Sequence, residues 1–393
     1  MKLRQLVFCL AANMASWPAL SAMDITDIQT HGFISQNYIQ TQSNNFFGQS
    51  QGDGSFAYRE LGINGSARLD KRTLAAVQLT SRHAGQSDNG SVEVGYALVD
   101  FQLNSSSDYR SGIRAGRIKI PLGLFNETRS VPMTRLGILL PQSIYFERSR
   151  NVAVSADGAE IYLSKHLARG DLSFRLLSVE PNLVDKATET NLLGEEQAGQ
   201  LENKRSYAFR MLYEHNSGEL LLALSHVQLN IDYRAASSID IPSNGRVSFQ
   251  PTILSAQYGS EFWTLTAEYA LRQFKLAGFN SLLNDFSGES FYYQVSRHYQ
   301  QKWEFFARRD HLYADKKDRY GKRFAQSTGK AAHSRYAKDW TLGLNYRASS
   351  LLSFKLQHHW INGSAWLPPA DNPDTQNINR RWQLLAVSAT LHY

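Results

Sequence analysis

Apolar and polar residues alternate along most of this chain, as in β-strands that have a different environment on each face. In the segment 57–70 the odd positions from Leu61 to Leu69 are apolar or glycine, whereas Asn64, Ser66 and Arg68 are polar. Most such segments are longer than strands of soluble domains and suit tilted membrane strands. The pattern predicts sixteen strands, at 31–42, 57–70, 72–83, 92–103, 109–120, 159–167, 170–181, 205–215, 218–232, 245–259, 261–274, 290–299, 302–315, 339–349, 351–363 and 380–393.

Two of these segments, 92–103 and 109–120, change phase partway, which predicts either β-bulges in them or a different strand assignment there. The connections alternate in length, with one or a few residues at Lys71, 104–108, 168–169, 216–217, Ser260, 300–301 and Ser350. Long connections come between them, at 43–56, 84–91, 121–158, 182–204, 233–244, 275–289, 316–338 and 364–379. Short turns at one end and long loops at the other are typical of outer-membrane barrels, and a soluble β-sandwich has no reason to alternate so strictly.

The first 22 residues have the features of a cleaved secretory signal. Lys2 and Arg4 precede a mostly apolar stretch, and Ser21 and Ala22 are small residues suited to cleavage. A membrane anchor is the alternative, but the stretch is short and contains polar residues and a proline. The mature chain, 23–393, would contain no cysteine, because Cys9 lies in the signal. No later stretch approaches the roughly 18 apolar residues of a spanning helix.

Charge is nearly balanced along the mature chain. Removing Lys2 and Arg4 leaves 40 basic residues against 35 acidic ones, a net charge of +5. The one basic cluster, 309–323, is interspersed with aspartates, which favours a solvated loop over a nucleic-acid site. We therefore expect no nucleic-acid partner.

Over 23–393 the chain resembles the Gram-negative outer-membrane porins. The last strand alternates up to a terminal aromatic residue, Tyr393, which looks like the signal that porins present to the outer-membrane assembly machinery. The longest loop, 121–158, is the third one, and the resemblance implies that it folds into the lumen as the constriction. The segment from Gly116 to Leu124 is similar to the strand-to-loop junction of the phosphate-selective porin group. The resemblance implies an outer-membrane barrel and a homotrimer, and we do not extend it to phosphate selectivity.

The third loop and the strand before it carry an excess of basic residues, which would favour anions at a narrow point of a water-filled barrel. The expected function is passive diffusion of small hydrophilic solutes with a mild preference for anions. Basic residues here are Arg110, Arg114, Arg117, Lys119, Arg129, Arg135, Arg148 and Arg150, and acidic ones are Asp108, Glu127, Glu147 and Asp157. The predicted pore constriction consists of Arg114, Arg117, Lys119, Glu127, Arg129 and Arg135.

Four other interpretations remain open for these residues and for the barrel. The arginines could brace the loop by pairing with carboxylates, or Arg148 and Arg150 could bind lipopolysaccharide phosphates if they face outward. The third loop could fill the lumen, leaving an occluded barrel with a structural, adhesive or lipid-handling role. A barrel enzyme is less favoured because the histidines show no catalytic spacing, and His358 and His359 point to opposite faces of one strand. We expect no cofactor and no metal site, and no plug domain precedes the first strand.

Overall fold

A single antiparallel sheet closes on itself to form a barrel in the computed structural model. The structure describes residues 26–147, 150–181, 199–237, 243–279 and 285–393, so the predicted signal at 1–22 lies outside the described residues. The first strand pairs with the last from Phe33↔His392 to Gln42↔Gln383, which closes the sheet. The strands are β1 Thr26–Gln42, β2 Ser55–Arg68, β3 Thr73–Ala84, β4 Asp88–Ser105, β5 Tyr109–Lys119, β6 Ser155–Leu167, β7 Gly170–Pro181, β8 Gln200–Asn203, β9 Ser206–His215, β10 Leu220–Arg234, β11 Gly245–Gly259, β12 Trp263–Gly278, β13 Phe286–Tyr299, β14 Trp303–Tyr313, β15 Tyr336–Arg347, β16 Leu352–Gly363 and β17 Arg381–His392.

The sheet contains seventeen strand segments but only sixteen strand positions. Both β8 and β9 pair with β10, one after the other along its length, so together they form one interrupted strand. All other neighbours follow chain order around the ring. The structure is thus a closed sixteen-stranded antiparallel β-barrel, which confirms the predicted fold class and strand number.

Three predicted loops are clearly shorter than expected because polar residues extend the strands beyond the apolar band. In the predicted loop 275–289, β12 extends to Gly278 and β13 begins at Phe286. The predicted long loop 84–91 is a turn over 85–87, since β4 begins at Asp88. Its tightness requires Gly85, which has φ +56° and whose added Cβ would lie 2.2 Å from the backbone nitrogen of Gly48. The third loop covers 120–154 rather than 121–158, because 155–158 belong to β6. Hairpin hydrogen bonds need no apolar side chain, so hydrophobic periodicity underestimates such strands.

One of the two predicted bulges is present. In β4, Gln78 pairs with Tyr96 and Leu79 with Val94, so Gly95 is the extra residue. In β5 the register with β6 is unbroken from Tyr109↔Lys165 to Lys119↔Ser155, so the prediction of a slip near Gly116 is wrong. Arg117, the polar residue that suggested a slip, lies on the outward face of β5 opposite Asp157.

The outer face of the barrel carries exposed apolar side chains and the inner face carries buried polar ones, as expected for a lipid-facing wall around a filled interior. Outward residues such as Leu265, Phe305 and Leu342 are half exposed, whereas inward Thr266 and Thr341 are buried. No described helix is long and apolar enough to cross a membrane. The interior is packed by loops: one apolar cluster joins the third loop to the β7–β13 wall, and a second joins it to Phe46, Phe47 and Trp366 from the first and last long loops. Loop packing therefore determines what space the lumen keeps.

Candidate functional site

The third loop, defined as residues 120–154, enters the lumen directly after β5. Pro121 cannot donate a ladder hydrogen bond, and Gly123 takes φ +61°, a left-handed conformation that suits glycine. The Gly123 nitrogen then donates to Ser225 Oγ of β10 at 3.1 Å. These residues fold the loop inward at its first turn.

A carboxylate on β12, Glu268, holds the first part of the loop. It accepts hydrogen bonds from the Leu124 nitrogen at 3.0 Å and from the Tyr145 hydroxyl at 2.6 Å. Two wall hydroxyls, of Ser255 and Tyr292, donate to the same carboxylate at 2.6 and 2.9 Å. Burial, together with the Glu268 charge, raises the pKa of the Tyr145 hydroxyl well above its ordinary value, so this hydroxyl stays a donor.

The middle of the loop is bound to β14 and β16. Gln357 Oε1 accepts from the Ile138 and Leu139 nitrogens at 2.7 and 3.0 Å. Lys355 Nζ donates to the Pro132 carbonyl at 2.7 Å, and Arg308 donates to the Leu139 carbonyl at 3.2 Å. Ile138 and Leu139 are almost completely buried. The loop therefore makes wall contacts far from the strands that it connects.

A buried ionic network fixes the loop to β2 and β3. Glu147 accepts from Arg82 of β3 at 2.7 Å and from Arg129 at 3.1 Å, and Arg150 lies 3.7 Å away. Arg135 pairs with Glu60 of β2 and donates to the Tyr58 hydroxyl at 3.2 Å. Burial alone would raise the pKa of Glu147, but Arg82, Arg129 and Arg150 hold it well below its ordinary range. Glu147 is therefore ionised at neutral pH.

A second network joins the loop to β7 and β9 through Glu127. Its carboxylate pairs with both Arg175 and Arg210, and Arg175 also bonds Glu160 at 2.5 Å. Burial would raise the pKa of Glu127, yet the two arginines keep it below the ordinary 4.5. Arg114 of β5 belongs to the same wall and pairs with Asp100 and Glu160 at 2.8 and 2.9 Å.

The lowered pKa of Glu127 gives a prediction for pH dependence. A group with a depressed folded pKa adds stability that is fully present above its unfolded pKa and is lost as pH falls through the folded value. We expect the difference in unfolding free energy between the wild type and Glu127→Gln to stay constant from about pH 8 to 5.5, and to shrink only below the ordinary 4.5. Urea unfolding followed by tryptophan fluorescence measures it. A difference already halved near pH 6 would contradict this account.

Two of the predicted residues, Arg117 and Lys119, lie apart from these networks. Arg117 is on the outward face of β5, where it pairs with the exposed Asp157 of β6 at 2.7 Å. Lys119 is buried, and its Nζ donates to Ser130 Oγ at 3.0 Å, an oxygen that Arg150 Nη2 also approaches at 3.2 Å. In the described part of the chain no carboxylate lies within 4.0 Å of Lys119 Nζ. Lys119 thus lies buried beside Arg150 without an ion pair, a setting that disfavours its charged form.

A small cavity of about 50 Å³ lies beside Lys119, between the third loop and the wall of β2–β4. Charged residues of both signs line it: Glu60, Arg82, Asp88, Glu93, Lys119 and Arg150. Because one water needs at least about 10–15 Å³ of such space, the cavity has room for roughly three or four waters. At the short-turn end a larger vestibule of about 670 Å³ reaches Met133 and Lys355 beneath the loop.

The structure brings together most, but not all, of the residues predicted from the sequence. Arg114, Lys119, Glu127, Arg129 and Arg135 face the interior, and Arg117 does not. Arg150 also lies inside, so it cannot meet a lipopolysaccharide phosphate at the outer wall, and Arg148 lies outside the described residues. Strand alternation indicates inward positions for a set of charged wall residues: Glu60, Arg68, Arg82, Arg210, Glu268, Arg272, Arg347 and Lys355. The alternation did not indicate which of these wall residues the third loop would contact, because contacts between a loop and the barrel wall do not repeat at a regular spacing in the sequence.

The histidine most like a catalytic group is fully enclosed. His359 Nδ1 lies 2.6 Å from Asp339 Oδ2 and 3.1 Å from the Thr341 hydroxyl, on the inner face of β15 and β16. All three side chains are buried, so a substrate in the lumen does not reach them. This arrangement fits a hydrogen-bonded brace of the wall.

A closed antiparallel barrel with an apolar outer face, a charged interior and a long loop folded inside has the fold of the outer-membrane porins. No protein-family model and no curated protein sequence matches the chain.

Solved structures match it over nearly its whole length, at low sequence identity. The anion-selective porin from Comamonas acidovorans is 12% identical, covers 94% of this chain and 100% of its own, and gives a TM-score of 0.58. OmpF of Salmonella typhi, solved with daunomycin, is 12% identical, covers 93% of this chain and 97% of its own, and gives a TM-score of 0.60. The outer-membrane channel DcaP of Acinetobacter baumannii is 9% identical, covers 93% of this chain and 97% of its own, and gives a TM-score of 0.57. These similarities concern the fold, and they do not single out the phosphate-selective group.

Proposed function

We propose that this chain is an outer-membrane channel through which small hydrophilic solutes diffuse passively, with the third loop as its constriction. The observation that carries the proposal is the fold of that loop into the lumen, bound to Ser225 and Glu268 on one side and to Glu60 on the other. A loop so placed controls the width and the charge of any route through the barrel. The solved porins and the channel DcaP share the surrounding barrel.

The proposed preference for anions is mild, because most loop arginines are neutralised. Arg129 and Arg135 pair with Glu147 and Glu60, as the bracing interpretation expected. Lys119 is the exception, and it borders the cavity between loop and wall. Where Lys119 is protonated, this cation without a paired carboxylate raises the local concentration of anions in the low-dielectric lumen. Of the predicted constriction residues, Lys119 is therefore the one on which selectivity would depend most.

The charge of Lys119 can be tested directly. At mildly acidic pH, where Lys119 is protonated, we expect Lys119→Gln to lower the chloride-to-potassium permeability ratio, measured as the reversal potential of the reconstituted barrel across a KCl gradient. Arg117→Gln removes an equal charge from the same strand on its outward face and serves as the matched control, which should leave the ratio unchanged. An equal shift in both variants would remove the proposed role of Lys119.

An occluded barrel is the second candidate, and a specific observation favours it. The loop bonds both to β2–β3 and to β10–β16, and the cavity beside Lys119 holds only a few waters. Conductance in a planar bilayer separates the two functions. Steady ohmic steps support the channel, whereas a folded, inserted barrel that conducts nothing supports a structural, adhesive or lipid-handling role.

The remaining proposals follow from the porin resemblance. We propose export through a cleaved signal at 1–22, residence of 23–393 in the outer membrane, and recognition by the assembly machinery through the strand that ends at Tyr393. The protein would act as a homotrimer in contact with outer-membrane lipid and lipopolysaccharide. It would bind no nucleic acid and require no cofactor or metal, and we propose no catalytic activity.

A further inference from the structure

Two cations lie on the lipid-facing wall near the long-loop end of β14 and β15. The cross-strand register places Tyr293, Arg309, Trp340 and Trp360 side by side on four adjacent strands. In the next row toward the loops, Lys338 of β15 is the direct partner of His311. An arginine or lysine that faces lipid at the bilayer centre destabilises a barrel, and this cost falls toward zero at the interface. Aromatic residues mark that interface, so this row places Arg309 at headgroup level.

Aromatic rings and a histidine hold the two cations, and no acidic residue does. The Arg309 guanidinium stacks over Trp340 at 4.8 Å and donates to His311 Nε2 at 3.1 Å. Lys338 Nζ lies 4.8 Å from the ring centre of Tyr320 and 3.4 Å from its hydroxyl. Among the described residues no carboxylate lies within 4.0 Å of either cation. By contrast Arg319, at the edge of the same patch, is paired with Glu289 at 2.5 Å.

An apolar groove of about 420 Å³ begins at Arg309 and runs along the outer wall toward the short-turn end. Its floor is made of small residues, Ala256, Ala267 and Ala307, and Leu265, Tyr293 and Trp340 form its sides. The side residues are about half exposed, so the groove opens to the lipid phase. A groove of this kind fits an acyl chain, while the cations above it fit a phosphate.

We propose that this surface, named the β14–β15 lipid patch and defined by Arg309, His311, Lys338 and the groove below them, binds a phosphorylated glycolipid of the outer leaflet. The phosphate takes the charge-assisted hydrogen bonds that Arg309 and Lys338 have free. The acyl chain fills the groove, and the exposed rings of Tyr320 and Trp340 pack against the sugar. The long-loop end of such barrels faces the cell exterior, which places the patch in that leaflet. The proposal rests on the outer-membrane residence and the lipopolysaccharide contact proposed above, assigns that contact a site, and holds for an open or an occluded lumen.

Native mass spectrometry of the purified full-length barrel with diphosphoryl lipid A tests the proposal. Since each interfacial cation contributes about 1 kcal/mol toward an anionic headgroup, Arg309→Gln with Lys338→Gln should weaken binding about thirtyfold. Dephosphorylated lipid A should bind the wild type about as weakly as diphosphoryl lipid A binds the double variant. The matched control is Arg297→Gln, which removes an outward arginine stacked over Trp263 at 5.1 Å near the short-turn end. That variant should keep wild-type affinity.

Several results would overturn the proposal. One is equal affinity of the double variant and the wild type for diphosphoryl lipid A. Another is equal affinity of the wild type for phosphatidylglycerol, which would show a general response to anionic lipid. A third is a double variant that forms oligomers of a different mass but binds diphosphoryl lipid A like the wild type, because the patch would then be a contact between copies of this chain. Heat-modified gel mobility, which reports barrel folding, ensures that each variant is compared in its folded form.

Discussion

Replacing residues 125–146 of the third loop by a short Gly-Ser linker is expected to raise the single-channel conductance several-fold. This segment carries Ile138, Leu139 and Tyr145, which are almost completely buried inside the barrel. It also supplies the contacts to Gln357 and Lys355 on the far wall. Without it, the inward side chains of a sixteen-stranded barrel leave a water-filled channel. Planar-bilayer recordings under identical salt measure the change.

A deletion in another loop provides the control for this prediction. Residues 322–330 include the short helix Lys322–Thr328, which has no buried residue and lies between β14 and β15. Replacing them by the same linker should leave the conductance at the wild-type value. A third-loop deletion that folds, as judged by heat-modified gel mobility, and still conducts like the wild type would show that the loop does not limit the pore.

Strand positions could be predicted from the sequence because the barrel wall has one environment on each side. Lipid outside and charged groups inside impose a period of two on every strand, and β11, for instance, has the predicted bounds of 245–259. Strand ends were less accurate where the hairpin continues beyond the membrane, as at Asp88 and Ser155. There, both faces of the strand are polar, so the alternation of apolar and polar residues no longer marks where the strand ends.

The interior of the barrel was much less predictable. The third loop could be recognised by its length and position, and its basic residues suggested a charged eyelet. Its partners come from strands up to about two hundred residues away, as with Ile138 and Gln357. Arg117 shows the limit most clearly, because one position along a strand decides between the lumen and the outer wall, and the polar side chain gave no sign that Asp157 would pair with it outside.

Glu147→Gln is expected to destabilise the folded protein by about 3–5 kcal/mol, because it removes one partner of a buried ionic network. Glu147 is the shared acceptor of Arg82 and Arg129, and Arg150 lies 3.7 Å from it. All three arginines are buried, so each loses its main counter-charge in a site that bulk water does not fill. The neutral amide accepts fewer hydrogen bonds and offsets no charge. Urea unfolding in phospholipid vesicles, followed by tryptophan fluorescence, measures the loss.

Asp157→Asn is the matched control, because it also removes a carboxylate from an arginine, Arg117, but at the exposed outer wall. Exposed pairs contribute about 0–1 kcal/mol, since water solvates whichever partner remains. Equal effects of the two substitutions would mean that water reaches Glu147 and that the loop is not bound as described. A large loss for Glu147→Gln alone would instead show that this network is what holds the third loop against β3, whether or not the remaining space conducts ions.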